Sequence, residues 1–187
     1  MEFLIILNKH AGSGTAAKVW QQVESELKRR QVDYQLKISQ YPGHTTYLAK
    51  QYAIHATNPS QAVLLIIGGD GTLHQALNGA LQANLSVKLP LAYIPAGSGN
   101  DFARGLKMKT NPLAALNQIL NCQKPIDIHI GQYRENIKNE SGYFVNNIGV
   151  GFDAAVVSQT NSSTSKKRLN KYHLGSLSYL SSVIGVL

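Results

Sequence analysis

The chain has 187 residues, enough for one full core or for one domain plus part of another. Hydrophobic residues make up 43% and charged residues 15%, which excludes a disordered chain, and the single cysteine, Cys122, excludes an internal disulfide framework and fits a reducing compartment. Lys plus Arg number 18 against 10 for Asp plus Glu, an excess that suits an anionic partner such as nucleotide phosphate, an acidic lipid headgroup or nucleic acid.

The first apolar run, Phe3 to Leu7, is a short buried strand, too brief for the core of a signal peptide. From Thr15 to Arg30 the pattern turns helical, with Val19, Trp20, Val23 and Leu27 at spacings of three and four. Trp20 is expected in the core or at its edge. A second strand spans 34–39 and a second helix runs from Gly43 to His55. AVLLII (62–67) is a third strand, followed by a helix from Thr72 to about Ala83. LAYI (91–94) makes a fourth strand, and Pro112, at a first-turn position, opens a helix through Leu120. Continuous apolar strands separated by helices indicate a parallel sheet covered on both faces, a doubly wound α/β fold.

After Pro125 the texture changes. DIHIGQYR and GYFVNNIGVGF read as two strands joined by a polar turn around Glu135 to Ser141, the start of a β-rich second domain. The expected division is 1–124 for the α/β domain and 125–187 for an incomplete second one. Asn161 to Asn170 is a polar, basic loop. Leu174 to Leu187 is an apolar stretch with four serines, too short to cross a membrane; it reads as a packed helix, and the chain's end inside it reads as a truncation.

The chemistry concentrates in glycine turns. Gly68-Gly69-Asp70-Gly71-Thr72 stands directly between the third strand and a helix. Glycines let the backbone turn sharply and approach a ligand, and the helix start offers N–H groups and a positive dipole end to phosphate. Asp70 sets a carboxylate at the tip, within reach of a magnesium-bound water or a ribose hydroxyl. Two more turns follow strands one and four: Asn8 to Gly14, which lacks the P-loop G-K-[ST], and Pro95 to Asp101. In a parallel sheet all three lie at the carboxyl edge and converge on one crevice. His10, His44 and His74 lie in or near these turns without zinc-ligand spacing. Lys166-Lys167-Arg168 lacks the interleaved aromatics of a nucleic-acid patch.

GGDGTLHQALNG (68–79) resembles the signature of the superfamily that joins diacylglycerol, sphingosine and NAD kinases and, more remotely, phosphofructokinases. PAGSGNDFAR (95–104) is similar to the lipid-kinase branch, and disfavours an NAD kinase. LNKHAGSG (7–14), FVNNIGVGFDAAV (144–156) and KYHLGSLSYL (171–180) resemble further segments of that branch. The resemblance implies ATP-dependent, magnesium-requiring phosphorylation of a lipid hydroxyl. It implies nucleotide contacts at Asn8, Lys9, His10, Ala11, Gly12 and Ser39, and phosphate contacts along Gly68, Gly69, Asp70, Gly71, Thr72, Leu73 and His74. Ser98 would add a hydroxyl, Arg168 and Lys171 charge at the phosphates, and Asp70 a hold on magnesium through water. Asp101 and Asp153 would face the lipid. Lys9 stands where the family has proline, and Gln75 where it has glutamate. The family's general base and structural metal site lie further along than this chain reaches, so no catalytic base is assigned and the chain alone is expected to be inactive. The expected setting is cytoplasmic, with transient contact at a membrane surface, no nucleic acid and a homodimer left open. The rival from another class is a non-catalytic nucleotide-binding fragment.

Overall fold

The computed structural model describes residues 2–56, 58, 61–86, 89–137 and 139–146. Four parallel strands form the central sheet: β1 (Glu2–Leu7), β2 (Tyr34–Ile38), β3 (Ala62–Gly68) and β4 (Leu91–Pro95), in the order β2-β1-β3-β4. Each is followed by a helix: α1 (Thr15–Arg29), α2 (His44–His55), α3 (Asp70–Gln82), and after β4 a short α4 (Asp101–Gly105) and then α5 (Pro112–Leu120).

The sheet is buried on both faces because its central strands are apolar at every position. Every residue of β3 is buried, and β1 is buried from Phe3 onward. Alternation then sorts the side chains. Phe3, Ile5 and Leu7 join α1 and α5 in one cluster, where Trp20 meets Tyr34 edge to face. Leu4 and Ile6 join α2 and α3 in the other. The expected doubly wound architecture is therefore present. Burying a single Leu or Ile side chain contributes about 1.5–3 kcal/mol, so these two clusters carry most of the stability.

Two details of the helices bear on the site. α3 begins at Asp70, two residues before the predicted start at Thr72, because extended Gly69 acts as its N-cap. The second half of the Gly68–Thr72 turn is thus the first turn of the helix itself. Further on, α4 begins at Asp101, the last residue of the turn read from sequence. α5 starts as Pro112 predicts, with Asn111 Oδ1 accepting from the Leu113 and Ala114 N–H groups.

The antiparallel hairpin is present but shorter than expected. β5 (Gly131–Glu135) pairs with β6 (Glu140–Phe144). Residues 127–130, predicted as strand, fall outside β5, and Ile126, Ile128 and Ile130 are exposed. The hairpin packs on α3 through Asn78, a buried side chain on an otherwise apolar helical face. Its Oδ1 accepts from Tyr143 N–H and its Nδ2 donates to Tyr143 C=O, both at 2.9 Å. A side-chain amide here imitates a strand neighbour. One compact unit, Met1–Val145, contains both sheets. The loop at 161–170 and the helix at 174–187 lie outside the described residues.

Candidate functional site

Parallel strands send all their carboxyl ends to one edge. With the order β2-β1-β3-β4 the winding reverses between β1 and β3, which opens a crevice there. The turns leaving β1, β3 and β4 meet at that crevice and are tied together by hydrogen bonds.

The first turn is Asn8 to Gly14. Asn8 Oδ1 accepts from His10 N–H at 3.1 Å, closing a local side-chain turn. Its Nδ2 donates to Thr72 Oγ1, also at 3.1 Å, which links the first turn to the second. Gly12 has φ +58°, and a Cβ there would stand 2.6 Å from the Ala96 carbonyl oxygen. The first turn therefore presses against the third, and only glycine suits that position.

The third turn is built around Asn100, itself at φ +55°. Its side chain accepts from Gly97 N–H at 2.8 Å and donates to Gly97 C=O at 3.0 Å. Ala96 N–H donates to Gly68 C=O at 2.7 Å. The Tyr93 hydroxyl lies 3.2 Å from that same carbonyl and 3.4 Å from Asn100 Oδ1, and can donate to either. Burial, reinforced by the nearby Asp70 and Asp101 carboxylates, pushes the Tyr93 phenol well above its ordinary range, so Tyr93 stays a neutral donor.

Asp70 joins the second turn to the third. Its Oδ2 accepts from Asp101 N–H and its Oδ1 from Phe102 N–H, each at 3.1 Å. The carboxylate thereby caps α4, where a negative charge also meets the positive end of the helix. Each oxygen keeps a second lone pair for another partner. Asp101 pairs with Arg104, whose guanidinium also donates to Gly99 C=O at 3.1 Å.

The predicted residues fall into groups. Asn8, Gly12, Gly68, Gly69, Asp70 and Thr72 are brought together by these contacts, while Ala11 packs against the α1 cluster and Gly71 is exposed at the start of α3. Lys9, His10, Ser98 and Asp101 are exposed on the turns around it. Ser39 is buried where β2 ends, its N–H on Leu7 C=O at 2.9 Å and its hydroxyl 3.5 Å from the same oxygen. The Leu73 side chain lies in the core cluster, and His74 is exposed on α3. Asp153, Arg168 and Lys171 lie outside the described residues. Three participants were not singled out from sequence: Tyr93, Asn100 and Asn78. A polar tip in an apolar strand (Tyr93) and an asparagine on an apolar helix face (Asn78) were the available signals.

Comparison with known proteins agrees with this architecture. The chain belongs to the diacylglycerol kinase catalytic domain family, whose model matches residues 2–131. It is 33% identical over 157 residues to a Bacillus subtilis (strain 168) protein named "Putative lipid kinase YtlR", covering 82% of this chain and 49% of that one. It is 30% identical over 131 residues to sphingosine kinase B of Dictyostelium discoideum, covering 68% of this chain and 17% of that protein. A crystal structure of a diacylglycerol kinase from Bacillus anthracis str. Sterne superposes with a TM-score of 0.53 at 28% identity, over 63% of this chain and 41% of its own. The chain thus spans about half the length or less of these relatives.

Proposed function

We propose that this chain is the nucleotide-binding part of an ATP-dependent lipid kinase that phosphorylates a hydroxyl of diacylglycerol or a related lipid. One observation carries the reading: three turns from three strands are cross-linked at the β1/β3 switch point, through Asn8 to Thr72 and through Asp70 to the start of α4. Such a crevice is preorganised for a phosphorylated ligand, and phosphoryl transfer asks a protein mainly for positioning and charge neutralisation.

In this reading the first-turn amides of α3 cradle the phosphates of ATP, with the helix dipole behind them. Lys9 and His10 stand at the rim, and Ser98 supplies a hydroxyl from the third turn. Ser39 bounds the nucleotide pocket at the end of β2, while Arg168 and Lys171 bring positive charge to the phosphates. Asp101 and Asp153 face the lipid headgroup. Magnesium, when bound, would neutralise charge on the phosphates. The donor set fits that ion: the Asp70 and Asp101 carboxylates each place an oxygen 3.5 Å from where a Cβ on Gly99 would be. Among the described residues no cluster of three His, Cys, Asp or Glu could hold a metal by itself, and magnesium is commonly held by one or two carboxylates together with phosphates and water. Asp70 would hold it through water.

The proposed division is residues 1–124 for nucleotide and the beginning of a lipid-binding domain in 125–187. A cytoplasmic protein working at the membrane surface follows from a lipid acceptor; no described helix is long and apolar enough to cross a membrane. The resemblance to a sphingosine kinase makes a sphingoid base the alternative acceptor.

The test is calorimetric titration of ATP, with and without magnesium, into this chain and into Asp70→Ala. Magnesium-dependent binding that the substitution abolishes is expected. Equal binding by both proteins would remove Asp70 from the site, and no binding by the parent would defeat the assignment of nucleotide binding to this chain. Phosphorylation assays with diacylglycerol and sphingosine, on a protein of the relatives' full length, then decide the acceptor.

A further inference from the structure

Helix α2 turns Leu48 and Tyr52 toward the core but, unlike α1, also leaves large apolar side chains outside. α1 buries Val19, Trp20, Val23 and Leu27 and turns its charges outward, the ordinary arrangement for a helix on a sheet. α2 buries Thr45, Ala49 and Ala53 and leaves Tyr47 and Ile54 exposed at 56% and 49%. Seven residues apart, these two fall on one side of the helix, two turns from each other. Tyr41, 59% exposed, extends the strip: its ring stacks on His44 with centroids 4.4 Å apart, and His44 lies 6.2 Å from the Tyr47 ring.

The small inner face has a local cause. Gly79 of α3 lets α2 come close, and a Cβ there would overlap the Thr46 carbonyl oxygen. That contact accounts for the alanines inside but not for the large apolar groups outside.

The segment that carries this strip has no acid of its own, although Glu2 of β1 lies beside it, accepting from Gln35 Nε2 at 3.4 Å. From Tyr34 to Gly69 the sequence contains no Asp or Glu, yet it contains Lys37 and Lys50. On β2, Tyr34, Leu36 and Ile38 pack with the α1 cluster, so alternation turns Lys37 to the α2 side of the sheet. The surface of α1 differs, because Glu24 and Glu26 pair with Lys28, Arg29 and Arg30.

We propose that the outer face of α2, formed by Tyr47, Lys50 and Ile54 with Tyr41 before it and flanked by Lys37 of β2, docks on an anionic lipid surface. This deepens the lipid-kinase reading and rests on it, since an enzyme with a lipid acceptor must meet a bilayer. The chemistry selects that occupant. Tyrosine suits the boundary between headgroups and acyl chains, isoleucine can enter the apolar side, and each lysine is drawn to anionic headgroups.

The test is sedimentation of the chain with vesicles of phosphatidylcholine alone and of phosphatidylcholine mixed with phosphatidylglycerol. Binding to the mixed vesicles, weakened by salt, is expected. The double variant Tyr47→Ser/Ile54→Ser should bind them about tenfold less well or worse, and Lys50→Glu should also weaken binding. Both variants should melt as cooperatively as the parent, since the altered side chains are not buried. Leu113→Ser, which removes an exposed apolar group from α5, should bind the vesicles unchanged. Equal vesicle binding by the parent and the double variant overturns the proposal. So does failure of the parent to prefer anionic vesicles, or a parent dimer in light scattering that the double variant splits. ATP calorimetry on the same proteins separates the two readings: vesicle binding without ATP binding defeats the kinase assignment and leaves this face standing.

Discussion

Asp70 shows how one side chain can join two turns. Its carboxylate caps α4 through the Asp101 and Phe102 amides, and each oxygen keeps a lone pair for another partner. Asp70→Ala should therefore lose stability as well as the nucleotide, by about 0.5–2 kcal/mol in urea unfolding, the usual cost of a lost cap. Asp70→Asn keeps an acceptor for one amide and should recover part of the stability while leaving magnesium-dependent binding impaired. The importance of Asp70 was legible in the sequence from its place between glycines after a strand. Its nearest partners were not, because they are backbone groups 31 and 32 residues away. Tyr93 escaped notice for a related reason: in sequence it is one more bulky residue in an apolar strand.

Among the elements, the helices were legible wherever an apolar stripe faced the sheet, as in α1. α2 was legible as a helix, but the outward placement of Tyr47 and Ile54 was not, because the close approach of α3 is a tertiary fact. Gly79→Ala should force α2 away from α3 and destabilise the fold by about 1–3 kcal/mol, as overpacked interiors do; a thermal melt measures this. α1 carries the clearest response to acid. Hydrogen bonds from Arg29, then Arg30, hold the Glu26 carboxyl down at about 2, against an ordinary 4.5. A depressed carboxyl stabilises the fold above its unfolded value and ceases to do so as pH falls toward the folded one. Melting temperatures between about pH 4.5 and 2 should thus fall less steeply in Glu26→Gln than in the parent.

For the whole molecule, the parallel sheet could be read from continuous apolar runs, since only strands buried on both faces are apolar at every position. The hairpin was legible as a change of texture, but its first strand begins at Gly131 and not at Asp127. Alternating isoleucines resemble a strand whether or not a neighbour pairs with them. The join between the two sheets was hidden in Asn78, whose amide binds both backbone groups of Tyr143. Asn78→Leu keeps the bulk but leaves those groups without their partner, a loss of about 1–3 kcal/mol. Hydrogen exchange should show the Tyr143 amide opening faster than in the parent while the amides of β3 stay protected. Equal protection of Tyr143 in both proteins would mean the hairpin is held by other contacts.

The crossed hydrogen bonds of the crevice also tie occupancy to folding. Asn8 meets Thr72, and Asp70 meets the Asp101 amide, only after β1, β3 and β4 have assembled, so an unfolded chain has nothing there for a ligand to recognise. Anything that binds the crevice must then act as a clamp on the entire sheet. Ligand at a hundredfold excess over its dissociation constant would add about 2.7 kcal/mol to global stability, without touching either hydrophobic cluster. The melting curve of the protein is in that sense an assay for its unknown ligand.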